Sequence, residues 1–486
     1  MPETPRGALL PKKLNQNRSL RDLFDGAVFF AALLIVAFRW EVVGCLVFLG
    51  LIGVVLVLSD RLSDAFPPLI LMTVFVTRCY DSFDVFIRYI PLYAVVLSCA
   101  LFHLIYYSVY PAIVRRAKPT FGPSFPGLVA ATVAMTLGGI GSLSAAEYFR
   151  PINLYYVLCL GIMMPALYLV IKPRADAEAR DRFLRGLFLS GCLAAYAVLI
   201  FYARGWANFK ETYHALSFQS SNNLATFLMI SLPIGFLYSK RNRVLILLPA
   251  LQYVALLFCN SRGGTALGTI EFFALLIFFC FYRSDRFRRA FFIGYLILTV
   301  GLVVTLLPKV LTFYRFDEKI ENFSELSVPQ LMKKAIFEVI DDGEARVGLL
   351  GRSFEDFRSN PVFGVGLGYT GNQDLYNPVK GAMNWYHMWA PQIWGSLGIV
   401  GILCFGYQLF LRLRLAFTRR EFPEVTLSLC YAGLLLMSQV NPGEFCPFPY
   451  ALIATVIFLF LDNAKPSRKR SADQPQKRPA EETPTA

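Results

Sequence analysis

Three side chains in this sequence could act together on a phosphorylated sugar: Arg262, Arg346 and His387. A guanidinium presents two parallel donors that match a pair of phosphate oxygens. An imidazole titrates near ~6.5 and can take a proton from a hydroxyl. Arg262 lies in Asn260-Ser261-Arg262-Gly263-Gly264, where the glycines permit a tight turn and close approach of a ligand to the backbone. It is either a phosphate-binding group or an arginine snorkelling to a membrane surface. Arg346 opens a segment in which Leu350, Phe354 and Phe357 recur at helical spacing and Pro361 stops the helix. It either points toward what that helix covers or is solvated in the first turn, and Arg352 lies on another face. His387 is one of three histidines and precedes a long apolar run. Trp385, Tyr386 and Trp389 beside it fit two readings: an aromatic belt at a membrane surface, or rings for stacking on sugars.

Two further segments bear on the same chemistry. Pro361-Val362-Phe363-Gly364-Val365-Gly366-Leu367-Gly368 gives a flexible backbone whose amides could meet anionic oxygens, with no Lys-Ser/Thr of a nucleotide-binding loop. Ser220-Ser221-Asn222-Asn223 either caps the helix beginning there or contacts substrate. No run of Cys, His or acidic residues has metal-ligand spacing, so neither a metal nor another cofactor is expected.

The elements that must position these groups are transmembrane. The chain is 56% hydrophobic and only 16% charged, whereas a soluble domain carries about 25% charge. Hydropathy gives about 12–14 spans, the first and third short. The expected fold is an all-α polytopic membrane protein with one large, partly helical extracytoplasmic loop. Its expected parts are a cytoplasmic segment 1–25, a transmembrane bundle 26–308, the loop 309–387, C-terminal spans 388–462 and a disordered cytoplasmic tail 463–486. Segment 1–25 is polar and basic without an apolar core, so the first span is expected to direct insertion. The net charge of +14 comes from clusters that alternate with the spans. Roughly 31 of the Lys and Arg fall on one side, the bias of cytoplasmic loops rather than of a nucleic-acid-binding surface. Arg412, Arg414, Arg419 and Arg420 form one such inner cluster, and Asn441–Pro449 falls on the outer side. The ten cysteines are scattered and read as small apolar residues rather than a disulfide framework.

The order Ser261-Arg262-Gly263, then Arg346 fifteen residues before Pro361, then the glycine run and His387, resembles the O-antigen ligase and O-antigen polymerase superfamily. Asn222-Asn223-Leu224-Ala225 with Leu232-Pro233 resembles the segment that precedes Ser-Arg-Gly in that superfamily. The resemblance covers Ser220 to Gly401. It implies a metal-independent, inverting glycosyltransferase of the inner membrane whose site faces outward. It would take a glycan from an undecaprenyl-diphosphate carrier and pass it to a hydroxyl of a lipid, glycan or protein in cell-surface polysaccharide assembly. It further implies that Arg262 and Arg346 hold the diphosphate and His387 activates the acceptor. Ser261, Gly263, Asn222, Asn223, Gly364, Gly366 and Trp385 are expected on the substrate. This chain departs from the family at Met388 after the histidine, where Asn is usual. It departs again at Ser396 before Leu397-Gly398, where Glu is usual, and at Leu350, where Trp is usual. These changes fall on the acceptor side. Within the superfamily the alternative is a polymerase of lipid-linked repeat units. From another class it is a flippase for a lipid-linked oligosaccharide.

Overall fold

The computed structural model describes residues 18–38, 47–48, 50–52, 66–73, 120–143, 156–205, 221–240, 242–282, 286–341, 344–367, 386–441, 443–445 and 447–464. These residues form helices without a strand. In chain order they are α1 (Arg18–Phe38), α2 (Phe66–Thr73), α3 (Phe125–Leu143), α4 (Met164–Ile171), α5 (Ala177–Ala203), α6 (Ser221–Ser239) and α7 (Leu247–Leu257). They continue with α8 (Arg262–Phe281), α9 (Arg286–Phe313), α10 (Val328–Asp341), α11 (Glu344–Ser359), α12 (Trp389–Thr418), α13 (Phe422–Met437) and α14 (Leu452–Asn463). Four stretches, Ala177–Ala203, Arg262–Phe281, Arg289–Phe313 and Trp389–Thr418, are long and apolar enough to cross a membrane, and shorter apolar helices pack with them. The protein is an all-α polytopic membrane protein. The expected spans over 42–58 and 89–110 lie largely or wholly outside the described residues, as does the tail from 465.

The helices run alternately between two ends of the bundle. At one end Lys240, after α6, donates to the Tyr282 carbonyl after α8 (3.1 Å), and its ammonium lies 3.7 Å from the centre of the Phe422 ring at the start of α13. Arg180 at the start of α5 pairs with Glu424 of α13, and Arg419 after α12 donates to the Leu461 carbonyl of α14 (2.9 Å). This end is basic, which matches the clustering read from the sequence. At the distal end Tyr202 of α5 packs on Phe258 after α7 (4.5 Å between ring centres), and Phe258 packs on Phe313 of α9 (5.7 Å). The first turn of α8 meets the end of α9 there through Thr265 and Tyr314, whose hydroxyls lie 2.8 Å apart.

The long apolar run from Met388 forms a broken helix. Gly398, inside α12, has φ 62° and ψ −154°, a backbone state that side chains disfavour. The break frees peptide groups that a membrane interior cannot hydrate. The segment after α11 takes them up. Ile399 N donates to Pro361 O (2.8 Å) and Val400 N to Val362 O (3.2 Å), while Val365 N donates to Gly395 O (3.1 Å) and Gly366 N to Ser396 O (2.8 Å). Close approach requires glycine here: a Cβ on Gly398 would stand 2.5 Å from Val362 O, and one on Gly364 (φ 70°) 2.3 Å from the Ser396 carbonyl carbon.

The fold at Gly398 is sharp. Trp389 Nε1 and Arg412 Nη1 reach the two oxygens of one carboxylate, Glu444, at 2.8 and 2.6 Å. On a straight helix those residues would stand about 34 Å apart. The chain after α13 turns back into the bundle to bring Glu444 there, since a Cβ on Gly443 would meet Leu434 and Thr226 side chains at 3.3 and 3.5 Å. This corrects two expectations: Arg412, read in an inner basic cluster, and Glu444, read in the outer segment Asn441–Pro449, are instead both buried and paired with each other.

Gly398→Ala is expected to cost about 2 kcal/mol or more. Thermal unfolding of the detergent-solubilised protein would show it as a lowered midpoint, with Gly406→Ala, whose added Cβ meets nothing, as the silent control.

Candidate active site

Arg262 is the first residue of α8, and its turn is built by hydrogen bonds from three directions. Asn260 takes a left-handed conformation (φ 62°), and Ser261 is extended and caps α8, accepting from Gly264 N at 2.9 Å. The Ser261 hydroxyl donates to Asn222 Oδ1 at 2.5 Å. Asn223, buried, accepts from Asn441 Nδ2 at 2.7 Å, and its carbonyl accepts from the Tyr450 hydroxyl. Gly264 lets α6 and α8 close up, because a Cβ there would lie 2.3 Å from that of Ala225. The guanidinium carbon of Arg262 lies 5.1 Å from the centre of the Phe316 ring. Cation–π attraction thus holds the charge at the positive end of a helix dipole, a setting that favours anions. The sequence left Asn222 and Asn223 between capping and substrate contact. Their visible side-chain bonds go to protein groups that fix the Arg262 turn.

His387 lies on the other flank. It is exposed and left-handed (φ 56°), a strained state for a residue with a side chain, stored where function is usual. Its neighbours are pinned. Tyr386 N donates to Gln392 Oε1 (3.1 Å), the Tyr386 hydroxyl donates to Asp356 of α11, and its ring covers Gly395, where a Cβ would lie 2.8 Å away. Trp389 N donates to Ser438 O (2.9 Å). Gln392 also donates to the Ser396 hydroxyl (3.0 Å), so Ser396, the departure from the family pattern, takes part in holding Tyr386.

The two flanks meet at one short stretch, Ser438–Asn441. A Cβ on Gly263 would touch the Val440 side chain at 3.4 Å. Asn441 holds Asn223, and Ser438 holds Trp389. Arg262 and His387 are therefore presented at the same end of the bundle, on either side of one turn.

Arg346 is in the first turn of α11, and its side chain lies outside the described residues, as do Gly368 and Trp385. The helix that carries Arg346 is docked on α12 by Trp394, which donates to the Ser353 hydroxyl (2.9 Å) and stacks on Phe354 (5.1 Å between ring centres). The face that buries deepest is not the expected apolar stripe: Ser353 and Asp356 are 0% and 4% exposed, against 47% for Phe354. Arg352 pairs with Glu355 (3.0 Å) and with Asp356 (3.5 Å). The amides of Gly364 and Gly366 are occupied by the Asn360 and Ser396 carbonyls, so these glycines act by close approach to α12. Asn441, Asp356 and Phe316 carry the site's geometry and were not singled out from the sequence, whereas Tyr386, read as a belt or sugar-stacking ring, is buried and holds the turn. Among the described residues no group of three or more His, Cys, Asp or Glu side chains is arranged to hold a metal ion. A groove of about 470 Å³, lined by Tyr202, Pro308, Lys309, Thr312 and Phe313, opens beside the Phe313–Tyr314 step that leads to Phe316 and Arg262.

Residues 244–406 match the O-antigen ligase family. That match spans about a third of the chain and holds the Ser-Arg-Gly turn, α11, the splice into α12 and His387. No curated protein and no solved structure is significantly similar to the chain. The matched segment ends before Arg412, Asn441 and Glu444, so the turn joining its two flanks is supplied from outside it.

Asp356 gives the docking of α11 a pH dependence. Burial pushes its carboxyl above the usual range, against the opposing pulls of the Tyr386 hydroxyl and Arg352. A folded-state value above the ordinary 3.8 means that this contribution is complete below that pH and is lost as pH rises through the raised value. Protection factors across 350–359, exchange rates taken relative to the intrinsic rate at each pH, are expected to be higher at about pH 4 than at about pH 7, and Asp356→Asn is expected to remove the difference. Equal pH dependence in both proteins would refute the assignment.

Proposed function

We propose that this protein transfers a glycan from a polyprenyl-diphosphate carrier to an acceptor hydroxyl at the outer face of the inner membrane. The family match supports glycan transfer of the ligase or polymerase kind. The observation that carries the reading is the shared support of Arg262 and His387 on Ser438–Asn441. His387 removes the acceptor's hydroxyl proton. The oxygen attacks the anomeric carbon from the face opposite the diphosphate, the sugar–phosphate bond breaks, and the configuration inverts. Negative charge builds on the departing diphosphate, where Arg262 and, with it, Arg346 neutralise it. Ser261, Gly263, Asn222 and Asn223 set the turn that aims Arg262. Gly364 and Gly366 fix the loop, and Trp385 is assigned to the sugar by its type and position. The groove beside Phe313 suits the carrier's lipid chain near its diphosphate. No metal or other cofactor enters this scheme. An outward-facing site with cytoplasmic termini follows from the basic end taken as cytoplasmic.

The test is transfer in reconstituted membranes from a polyprenyl-diphosphate oligosaccharide, at equal folded protein. His387→Ala is expected to lower turnover by about 10²-fold or more. Arg262→Lys, which keeps the charge and loses the fork, should lower it at least about 10-fold. A ladder of products marks a polymerase and a single product a ligase. If labelled lipid crosses the bilayer without transfer, the protein is a flippase and the proposal falls.

A further inference from the structure

The interior of the bundle holds an ion pair that the chemistry above does not use. Arg412 and Glu444 are 7% and 9% exposed and bonded at 2.6 Å. Arg412 also donates to the Tyr431 hydroxyl (3.1 Å), and its guanidinium lies over the Tyr431 and Phe458 rings at 5.3 and 5.1 Å. Two charges removed from water and from lipid cost stability that an apolar pair would not. The second oxygen of Glu444 shows what the arrangement accomplishes. It accepts from Trp389 Nε1 at 2.8 Å, and Trp389 is two residues from His387.

Trp389 is thus fixed twice. Its amide is tied to Ser438 and its indole to Glu444, which cannot swing away because Arg412 holds the other oxygen. A residue two positions from a left-handed His387 sets where that turn leaves the helix. A strained φ persists only where its surroundings over-determine it. Breaking α12 at Gly398 is what allows Arg412, on the far limb, to reach the same carboxylate as Trp389 on the near limb. We infer that Glu444, clamped by Arg412, is a positioning residue for His387 and acts through the Trp389 indole. This deepens the proposed function and rests on it only for the name of the step that His387 performs.

Trp389→Phe tests it, because the ring remains, the Arg412–Glu444 pair remains, and only the indole donor is lost. The double change Arg412→Met with Glu444→Leu removes the pair without stranding a charge and serves as the second variant. Two readouts are taken. In the transfer assay both variants are expected to lower kcat by about 10-fold while the KM for the lipid-linked donor stays within about 2-fold. In a background of His103→Gln and His214→Gln, His387 is the last histidine. The rate of its modification by diethyl pyrocarbonate is then read at one neutral pH, where both variants are expected to change it by about 3-fold or more. Unchanged modification in Trp389→Phe and in the double variant, at wild-type folding, overturns the inference whether or not glycan is transferred. Failure of wild type to transfer, with modification rates shifted as expected, defeats the proposed function and leaves the positioning role standing.

Discussion

A helix inside a membrane can be broken only where something else takes the peptide groups that the break releases. That constraint organises this protein. Gly398 breaks α12, and residues 361–366 make four hydrogen bonds with it, two carbonyls accepting from its amides and two amides donating to its carbonyls. Water would satisfy the same groups at no cost in a soluble protein, and the lipid interior gives no such option. The segment following α11 is therefore part of the bundle rather than a tether, and α11 inherits its position from it. A helix with a polar buried face could otherwise drift, since Ser353 and Asp356 each provide one side-chain hydrogen bond to α12 or the segment before it.

The same splice separates what was readable from what was not. The glycine run 361–368 announces an approachable backbone, and at Gly364 what approaches is the backbone of α12 rather than an anion. The sequence does not say what approaches, because the partner lies some thirty residues on and pairs by backbone groups that every residue carries. The bundle's class and its basic end were legible for the opposite reason. Hydropathy and loop charge are local sums over many residues. The helix stop before Pro361 was legible because it depends on a few neighbouring residues.

Arg412 shows the limit most clearly. It stands among basic residues near the end of an apolar run, so composition places it on a flank. Only the return of the chain after α13 supplies the acid that draws it inside. Asp356 fails in the same way: an acidic residue in a charged amphipathic helix reads as solvated, yet it receives the Tyr386 hydroxyl across thirty residues. Polar residues turned inward by a remote partner leave no periodic trace. On the candidate site, the types and order of Arg262 and His387 were readable, whereas the turn that joins their flanks, Ser438–Asn441, carries no chemistry of its own, and only Asn441 was noticed, as the start of an outer segment.

That division of labour has a physical logic. A group that must bind a diphosphate and a group that must take a proton need different surroundings: one wants a fixed positive field, the other an exposed, titratable ring. In the proposed reaction the first would be Arg262, at a helix start steadied by an aromatic face, and the second His387, at a left-handed turn in contact with solvent. Placing them on separate helices keeps those surroundings apart. Tying both helices to one turn restores the mutual geometry that a shared reaction centre requires, since effective concentration falls steeply when reacting groups drift by an ångström. The buried charges of Arg412 and Glu444 then act at a distance from the chemistry, holding the limb of α12 from which the histidine turn departs.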